Sequence, residues 1–515
     1  MKRQPSISPA ALSRLFAKAV EAWRRQDYQE TIALLQRAQR SDPGNPNILL
    51  DLGRAYGLRY DYPQAEQCFD RAARLTPRKA DVFTEAGRRC QEFGHVEMAA
   101  RFFERAALEP KVKPETLVVL AELYERRAHY DQAAELLGRA LHLQADHPAA
   151  LLAQARLARL RGDITEADRS LRALLTRQLG EDPTRIRAWY ELGAVLDRQG
   201  RYDEAMTAFL EAKATQRPAA APFAQVLHGV QSSVRELEQT ISAGVLERWA
   251  QGRAALAPAR RLAILCGHPR SGTTLLEQVL DAHPTVVSAE ETHILHDEAY
   301  LPLTAGFAPT TSILQVLDSA PPSRLGQARG NYFRFTESYL GQPLGERLLV
   351  DKNPALNVLL PAVARIFPEA KLLVAVRDPR DVCLSCFMQP LPLNPVSSAY
   401  LSLEGTVQQY ASVMGFWRAM LPRLRNPWLE VRYEELVADL ESVVRRALSF
   451  LEIDWNECVL RFHEHARRKA LRSPTYADVR QPVHGGAVGR WRNYEKHLEP
   501  YVGRLQPFLE AFGYA

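Results

Sequence analysis

The sequence predicts an N-terminal all-α superhelix followed by an α/β domain with a central parallel sheet. Two observations carry this prediction. Small residues recur at a spacing of 34 through the first part of the chain, as they do in stacked pairs of helices. Further along, short apolar segments alternate with helical ones, and polar residues follow each apolar segment. That second pattern is typical of parallel strands joined by helices.

The length and composition indicate a globular protein with more than one domain. The chain has 515 residues, of which 46% are apolar and 24% are charged, and one average domain is much shorter. Its net charge of +6 is mild. This charge fits an anionic small ligand, whereas a nucleic-acid binder would concentrate far more positive charge on one element.

The repeat is defined by two series of small residues that run in phase. The first series opens the second helix of each unit and comprises Thr31, Ala65, Ala99, Ala133, Ala167 and Ala205. The second series comprises Gly53, Gly87, Ala121, Ala155 and Gly193. All successive gaps are 34 residues except the last gap of each series, which is 38. Small residues at these places let two antiparallel helices approach closely.

Prolines lie between the units of the array, where a helix must end, at Pro43, Pro77, Pro110 and Pro183. The longer last gap predicts an insertion around Leu179–Pro183 that lengthens a helix or its loop. The pattern resembles the tetratricopeptide repeat (TPR) family over residues 10–215, in about six units. The resemblance implies a TPR superhelix whose concave groove binds a protein or peptide partner, and a spacer or an oligomerisation element is the alternative.

A helical linker is predicted over residues 216–258. The run Arg217–Pro222 breaks the repeat, and apolar residues then follow at helical spacing from Val226 to Trp249. The second boundary falls near Ala254–Ala259. The third domain is predicted to span residues 259–515.

A short apolar strand from Leu262 runs directly into a glycine-bracketed loop at the start of the third domain. Gly267 and Gly272 have the spacing of the Walker A phosphate loop, but Thr273 stands where that loop has its lysine. The loop keeps backbone amides that suit a phosphate at a helix N-terminus. Because the lysine that neutralises a triphosphate is missing, we expect a phosphorylated nucleotide other than ATP or GTP.

Four further strands are predicted at residues 286–288, 347–351, 371–376 and 428–432. Lys352 follows the third strand of the domain, and Arg377 follows the fourth. Open α/β sheets bind ligands beyond the carboxyl ends of their strands. The two cations are therefore candidates for a ligand site at that edge.

These residues resemble the PAPS-dependent sulfotransferases, and within them the tyrosylprotein sulfotransferase-like branch, over residues 261–515. Pro269–Thr274 resembles the loop for the 5′-phosphosulfate, and Arg377 with Ser385 resembles the pair for the 3′-phosphate. Gly489–Trp491 resembles the nucleotide-covering loop, and Glu290–Thr292 the acidic segment that supplies a base. The resemblance implies a P-loop-like fold and transfer of a sulfuryl group from 3′-phosphoadenosine 5′-phosphosulfate (PAPS) to an acceptor hydroxyl, without a metal.

The resemblance and the chemistry of the side chains together assign the site. Glu291 is the expected base, with Glu290 and His293 as alternatives. Lys352 and Arg270 are expected to stabilise the leaving phosphate oxygen. The predicted nucleotide-binding residues are Pro269, Arg270, Ser271, Gly272, Thr273, Thr274, Arg377, Ser385, Tyr433, Gly489, Arg490 and Trp491.

The acceptor stays open at this point. The peptide-sulfating branch has arginines after its acidic pair, and this chain has His293 and Asp297 there. A peptide tyrosine, a carbohydrate, a lipid and a small molecule are all candidates for the hydroxyl acceptor. Two other functions are alternatives: a P-loop kinase-like enzyme for a nucleotide or small molecule, and a non-catalytic TPR scaffold with a degenerate nucleotide domain.

No metal site is expected. Cys383 and Cys386 form a lone C-x-x-C, and His463 and His465 lie two residues apart, but neither pair has further ligands at a suitable spacing. We interpret both pairs as helix faces. The N-terminal sequence lacks the apolar core of a secretory signal, and no apolar run is long enough to span a membrane. The expected location is therefore the cytoplasm.

Overall fold

The structure of the protein is a computed structural model that describes residues 9–177, 183–256, 258, 260–354, 356–467, 469 and 478–515. It consists of two compact units, Met1–Leu157 and Ala158–Ala515. The predicted insertion falls largely on residues 179–182, which lie outside the described residues; Pro183 is the first residue of a helix. The predicted boundaries at 215 and 259 follow the repeats and motifs and stay predictions.

The first unit is built from paired helices. They are α1 (Pro9–Arg24), α2 (Tyr28–Ser41), α3 (Pro46–Leu58), α4 (Tyr62–Arg74), α5 (Lys79–Glu92), α6 (Val96–Ala107), α7 (Pro114–Arg126), α8 (Tyr130–Leu143) and the start of α9 (Pro148–Arg161). The series of small residues that begins at Thr31 lies in the first turns of the even-numbered helices, and each of its members is buried. The predicted helical repeat is confirmed.

The second small series makes room for a large side chain of the partner helix. A Cβ on Gly87 would lie 2.8 Å from the ring of Phe103, and a Cβ on Gly53 would clash with the ring of Phe69. Both rings are fully buried. The same sixteen-residue spacing joins Ala121 to the buried Leu137. Glycine therefore accompanies phenylalanine, and alanine accompanies the smaller leucine.

Within the described residues of the second unit, five α-helices lie between α9 and the sheet. They are α10 (Ile164–Leu175), α11 (Pro183–Arg198), α12 (Tyr202–Ala220), α13 (Ala224–Thr240) and α14 (Ala243–Gln251). The helical run predicted from Val226 to Trp249 forms two helices rather than one. The break falls at Ser242, whose side chain accepts a hydrogen bond from the N–H of Val245 and so begins α14.

The sheet has five strands, β1 (Leu262–Gly267), β2 (Val286–Glu290), β3 (Leu348–Lys352), β4 (Lys371–Val376) and β5 (Trp428–Arg432). Their order is β2-β3-β1-β4-β5, and every neighbouring pair is parallel. The predicted parallel sheet is confirmed. Strand β2 is two residues longer than predicted, and β3 includes Lys352, because both strands pair as far as the register Glu290–Lys352.

Eleven further helices are described around and after the sheet. They are α15 (Thr273–Asp281), α16 (Ile313–Ser319), α17 (Pro322–Leu340), α18 (Leu360–Ile366), α19 (Pro379–Met388), α20 (Pro395–Ser398), α21 (Leu403–Met420), α22 (Tyr433–Ala438), α23 (Leu440–Leu451), α24 (Phe462–Arg467) and α25 (Glu495–Ala511). Within the described ranges, no helix is both long and apolar enough to cross a membrane. Strand β1 is central, so the chain changes direction across the sheet between β1 and β4, where a crevice is expected.

Candidate active site

The glycine-bracketed loop depends on two backbone positions that exclude a side chain. Gly267, at the end of β1, has φ of +131°, and a Cβ there would clash with the carbonyl oxygen of Ala375 on β4. Gly272 caps α15 with φ of +90°, and its Cβ would clash with the ring of Tyr433. The two glycines let the chain turn sharply from β1 into α15. The N-terminus of α15 is thereby set beside the ring of Tyr433.

Arg377 is fixed from several sides. Its Nη1 donates to the carbonyl oxygen of Arg270 over 3.2 Å, and its Nη2 donates to the carbonyl oxygen of Ala487. Its guanidinium lies 4.6 Å from the centre of the Tyr433 ring, in cation–π geometry. Its Nε is buried and makes no hydrogen bond with the described residues. Arg377 is therefore held rigidly, and its buried Nε keeps a donor without a partner among the described residues.

Arg270 links the phosphate loop to α19. Its Nε donates to Oγ of Ser385 over 3.1 Å, and the residue has φ of +74°. Burial lowers the pKa of Arg270, and the nearby charge of Arg377 adds to this effect, whereas Glu291 is among the groups that raise it. Ser385 and Arg377, predicted as a pair, thus meet around Arg270.

Asp381 joins α19 to the covering loop. Its carboxylate accepts the backbone N–H of Gly489 over 2.7 Å and that of Trp491 over 2.8 Å. It also lies 3.9 Å from Nη2 of Arg377. Burial raises the pKa of Asp381, and Arg377 and the two amides oppose the shift. Only one sequence feature indicated this role, the position of Asp381 in the first turn of the helix after Arg377.

One cavity gathers most of the predicted nucleotide-binding residues. Those that line it are Arg270, Gly272, Thr273, Thr274, Arg377, Ser385, Tyr433 and Arg490. Other residues of its wall were not predicted, among them Leu384, Gln389, Phe462, Val479, Gln481 and His484. They lie on α19 or at its end, at the start of α24 and in the segment 479–484, and no sequence motif indicated a role for them.

Four predicted nucleotide-binding residues do not line this cavity: Pro269, Ser271, Gly489 and Trp491. The carbonyl oxygen of Pro269 faces the thiol of Cys386 at 3.7 Å, and Ser271 is buried. The ring of Trp491 lies under the guanidinium of Arg380, 3.9 Å from ring centre to Cζ. Gly489 and Trp491 thus contribute backbone amides that fasten the loop to Asp381, and their predicted contact with a nucleotide stays a prediction.

Lys352 lies at the centre of a carboxylate cluster, which comprises Glu277, Glu290 and Glu291. Its Nζ is fully buried and lies 2.6 Å from Oε1 of Glu291, and 3.5 Å from both Oε2 of Glu277 and Oε1 of Glu290. Burial alone would lower the pKa of Lys352, but the three carboxylates outweigh it and raise the pKa. Burial raises the pKa of Glu277, which no sequence motif pointed to.

Glu291 is held in an uncommon backbone conformation. Its φ is +48°, and its N–H donates to the carbonyl oxygen of Lys352 over 2.9 Å. Its side chain is 53% exposed, whereas that of Glu290 is 12% exposed. Strain of this kind recurs at functional sites because the surrounding structure must maintain it. Of the two carboxylates, Glu291 is the one open to an approaching acceptor, and the alternative base His293 is also exposed.

The cysteine and histidine pairs have other partners in the structure. Cys383 and Cys386 are buried free thiols on α19. His465, on α24, contacts Oδ2 of the buried Asp281 at 2.8 Å, and Lys469 contacts the same oxygen. Among the described residues, no three His, Cys, Asp or Glu side chains group as metal ligands.

Comparisons with known proteins divide the chain in the same way as the motifs. The sulfotransferase family model matches residues 263–457. Tetratricopeptide repeat models match residues 22–84, 118–168 and 152–223.

Similar curated proteins include sulfotransferases. Protein-tyrosine sulfotransferase 1 of Danio rerio is 28% identical over 269 residues, which cover 49% of this chain and 72% of the relative. An uncharacterised protein of Aquifex aeolicus is 24% identical over 353 residues, which cover 65% of this chain but only 43% of that protein. Among solved structures, the sulfotransferase domain of the Synechococcus olefin synthase is 21% identical, with a TM-score of 0.33, over 46% of this chain and 89% of that domain. Residues 263–457 thus match the sulfotransferase family model and follow a part of the chain that matches tetratricopeptide repeats.

Proposed function

We propose that the protein transfers a sulfuryl group from PAPS to an acceptor hydroxyl by in-line displacement, with Glu291 as the base. The observation that carries this proposal is the convergence of the phosphate loop, Arg377 and Ser385 on one cavity. The carboxylate cluster around Lys352 follows neighbouring strands of the same sheet. Both groups therefore lie at the carboxyl edge of the strands, where such folds bind their ligands.

The donor set of the cavity suits a nucleotide with an anion at each end. Arg377 and Ser385 both line the cavity, and a guanidinium and a hydroxyl suit a 3′-phosphate. The backbone amides after Gly272, at the N-terminus of α15, suit the phosphosulfate. A side chain at Gly272, directly before these amides, would clash with the ring of Tyr433. Thr273 in place of the Walker lysine disfavours a triphosphate.

The bound donor would supply an activated sulfuryl group, and the side chains would supply positioning and charge. The acceptor oxygen forms a bond to sulfur while the bond from sulfur to the 5′-phosphate oxygen breaks. Glu291 takes the proton of the acceptor hydroxyl, because its carboxylate is exposed and fixed by its backbone. Lys352 and Arg270 balance the negative charge that grows on the departing phosphate oxygen.

The acceptor and the repeat domain belong to the same proposal. The curated relatives named protein-tyrosine sulfotransferases favour a phenolic hydroxyl on a protein. His293 and Asp297 stand where that branch has arginines, so carbohydrate, lipid and small phenolic acceptors remain in the test. We propose that the concave surface of the repeats recruits the acceptor or a partner protein. The six free thiols support a reducing compartment, such as the cytoplasm.

Two experiments test the proposal. Titration calorimetry should detect binding of adenosine 3′,5′-bisphosphate and no binding of ATP with magnesium; the reverse result would favour a kinase-like enzyme. A screen with labelled PAPS across peptide, carbohydrate, lipid and phenol acceptors should then show transfer to one class. A protein that binds neither nucleotide would fit the non-catalytic scaffold.

A further inference from the structure

The carboxylate of Asp197 joins the last repeat to Arg490 in the covering loop and to Tyr494 just after it. Asp197, near the end of α11, accepts a hydrogen bond from Nη2 of Arg490 over 2.6 Å and another from the hydroxyl of Tyr494 over 2.6 Å. The side chain of Asp197 is 14% exposed. All of these residues belong to the unit Ala158–Ala515. An aspartate of the repeats therefore contacts a residue of the nucleotide cavity.

The contact is backed by packing on the same two repeat helices. Tyr494 is fully buried, and its ring lies 5.4 Å from that of Tyr202, at the start of α12. Burial raises the pKa of Tyr494, and the carboxylate of Asp197 raises it further. Tyr494 thus keeps its proton and donates a hydrogen bond to Asp197, which fixes the carboxylate on one side.

Arg490 is the other partner and the one that faces the cavity. It lines the cavity together with Arg377 and Ser385, and its side chain is 34% exposed. A long arginine side chain in this position loses rotamer entropy when it is ordered by an anion. Asp197 occupies one of its five N–H donors, which leaves the others for a second acceptor.

We propose that Asp197 is a positioning residue for the donor nucleotide: it holds Arg490 ready to bind a phosphate, so that the last repeat forms part of the donor site. This inference rests on one part of the proposed function, which is that the donor nucleotide binds in this cavity. It extends that function because it gives α11 a role in donor binding in addition to recruitment. The physical effect is pre-organisation, which strengthens binding by removing the cost of ordering a side chain.

The test measures the affinity of the full chain for adenosine 3′,5′-bisphosphate by titration calorimetry. Asp197→Ala should weaken binding by about tenfold, the effect expected from losing one charged, ordered contact. Asp203→Asn is the matched control. Asp203 lies on α12, is 66% exposed, and pairs with Lys496 and His497, which do not line the cavity. This control should bind as the wild type does.

A double-mutant cycle separates positioning from general damage to the fold. If Asp197 acts through Arg490, Asp197→Ala should have no further effect on affinity in a chain that already carries Arg490→Ala. An additional loss in that background would show a structural role and overturn the proposal, as would unchanged or tighter binding by Asp197→Ala alone. A wild-type chain that does not bind the bisphosphate would overturn the proposed function itself, and this inference with it.

Discussion

Lys352 and Glu291 form a hydrogen bond of 2.6 Å between Nζ and Oε1. The two residues were predicted to have separate roles, Lys352 at the leaving group and Glu291 at the acceptor. The structure joins them in one carboxylate cluster, in which Lys352 also faces Glu277 and Glu290. The orientation of the expected base is therefore coupled to the charge of the lysine, and changes at either residue should affect the other.

Glu291→Gln should lower the rate of sulfuryl transfer by about a hundredfold or more, since an amide cannot take the acceptor proton. Binding of adenosine 3′,5′-bisphosphate should stay as in the wild type, because Glu291 does not line the nucleotide cavity. The comparison requires a transfer assay and calorimetry on the same preparation. Glu290→Gln is the matched control and should keep most of the activity. Full activity of Glu291→Gln would reassign the base to Glu290 or His293.

Lys352→Met should destabilise the fold by about 3–5 kcal/mol at neutral pH, because it leaves buried carboxylates without their cation. The loss should be larger at pH 9 than at pH 7, because the folded pKa of Glu277 in the wild type is about 8. Burial already holds the pKa of Glu277 above its unfolded value, and without the lysine this pKa rises further. When the pKa of a carboxyl group is higher in the folded state than in the unfolded state, the free energy of unfolding falls as the pH increases from the unfolded pKa to the folded pKa.

Urea unfolding of wild type and Lys352→Met at the two pH values measures this difference. In the double variant Lys352→Met with Glu277→Gln, the pH dependence should be smaller, because the most buried carboxylate has been removed. A difference between Lys352→Met and wild type that does not change with pH would argue against unpaired carboxylates as the cause.

Arg377→Lys should weaken binding of adenosine 3′,5′-bisphosphate by about ten- to a hundredfold although it keeps the charge. A lysine cannot reproduce the planar fork that contacts the carbonyl oxygens of Arg270 and Ala487, nor lie flat over Tyr433. Arg380→Lys is the matched control, since Arg380 pairs with Asp378 and does not line the cavity. Equal affinities of the two variants would show that charge alone determines binding.

Gly87→Ala should destabilise the protein by about 1–3 kcal/mol, because its Cβ would meet the ring of Phe103. Phe103→Leu should restore most of this loss when combined with Gly87→Ala, although it is destabilising alone. Thermal unfolding of the four proteins gives the coupling energy. Gly330→Ala, at a helical site with open space around it, is the control for glycine replacement and should not destabilise. Additive effects of the two changes would contradict the packing described here.

The parts of the structure that sequence predicted well are those set by local patterns. Residue spacing along the chain predicted the repeats, the strands β4 and β5 and the start of α15. Each of these elements is determined by residues that are close together in the sequence. The distance along the chain between Arg377 and Ser385 is also local, because Arg377 lies two residues before α19 and Ser385 lies on it.

The parts that sequence missed depend on contacts between distant segments. Glu277 lies behind Lys352 because α15 packs on the sheet, and Asp381 binds a loop that comes more than a hundred residues later. The position of the Trp491 ring under Arg380 also depends on such a contact, and the predicted contact of Trp491 with a nucleotide stays a prediction. Asp197 belongs to a repeat whose pattern gives no sign of a partner in the covering loop.

The paired glycine and phenylalanine positions also limit how the repeats can change over time. Gly53, Gly87 and Gly193 are followed sixteen residues later by phenylalanine, and Ala121 and Ala155 by leucine. A repeat can change from glycine with phenylalanine to alanine with leucine only by two substitutions. The intermediate with alanine and phenylalanine is overfilled, and the one with glycine and leucine is underfilled. We expect the overfilled intermediate to lose more stability, because neighbouring side chains can relax into a small cavity. The ring should therefore be lost first, and homologous repeats should show glycine with leucine far more often than alanine with phenylalanine.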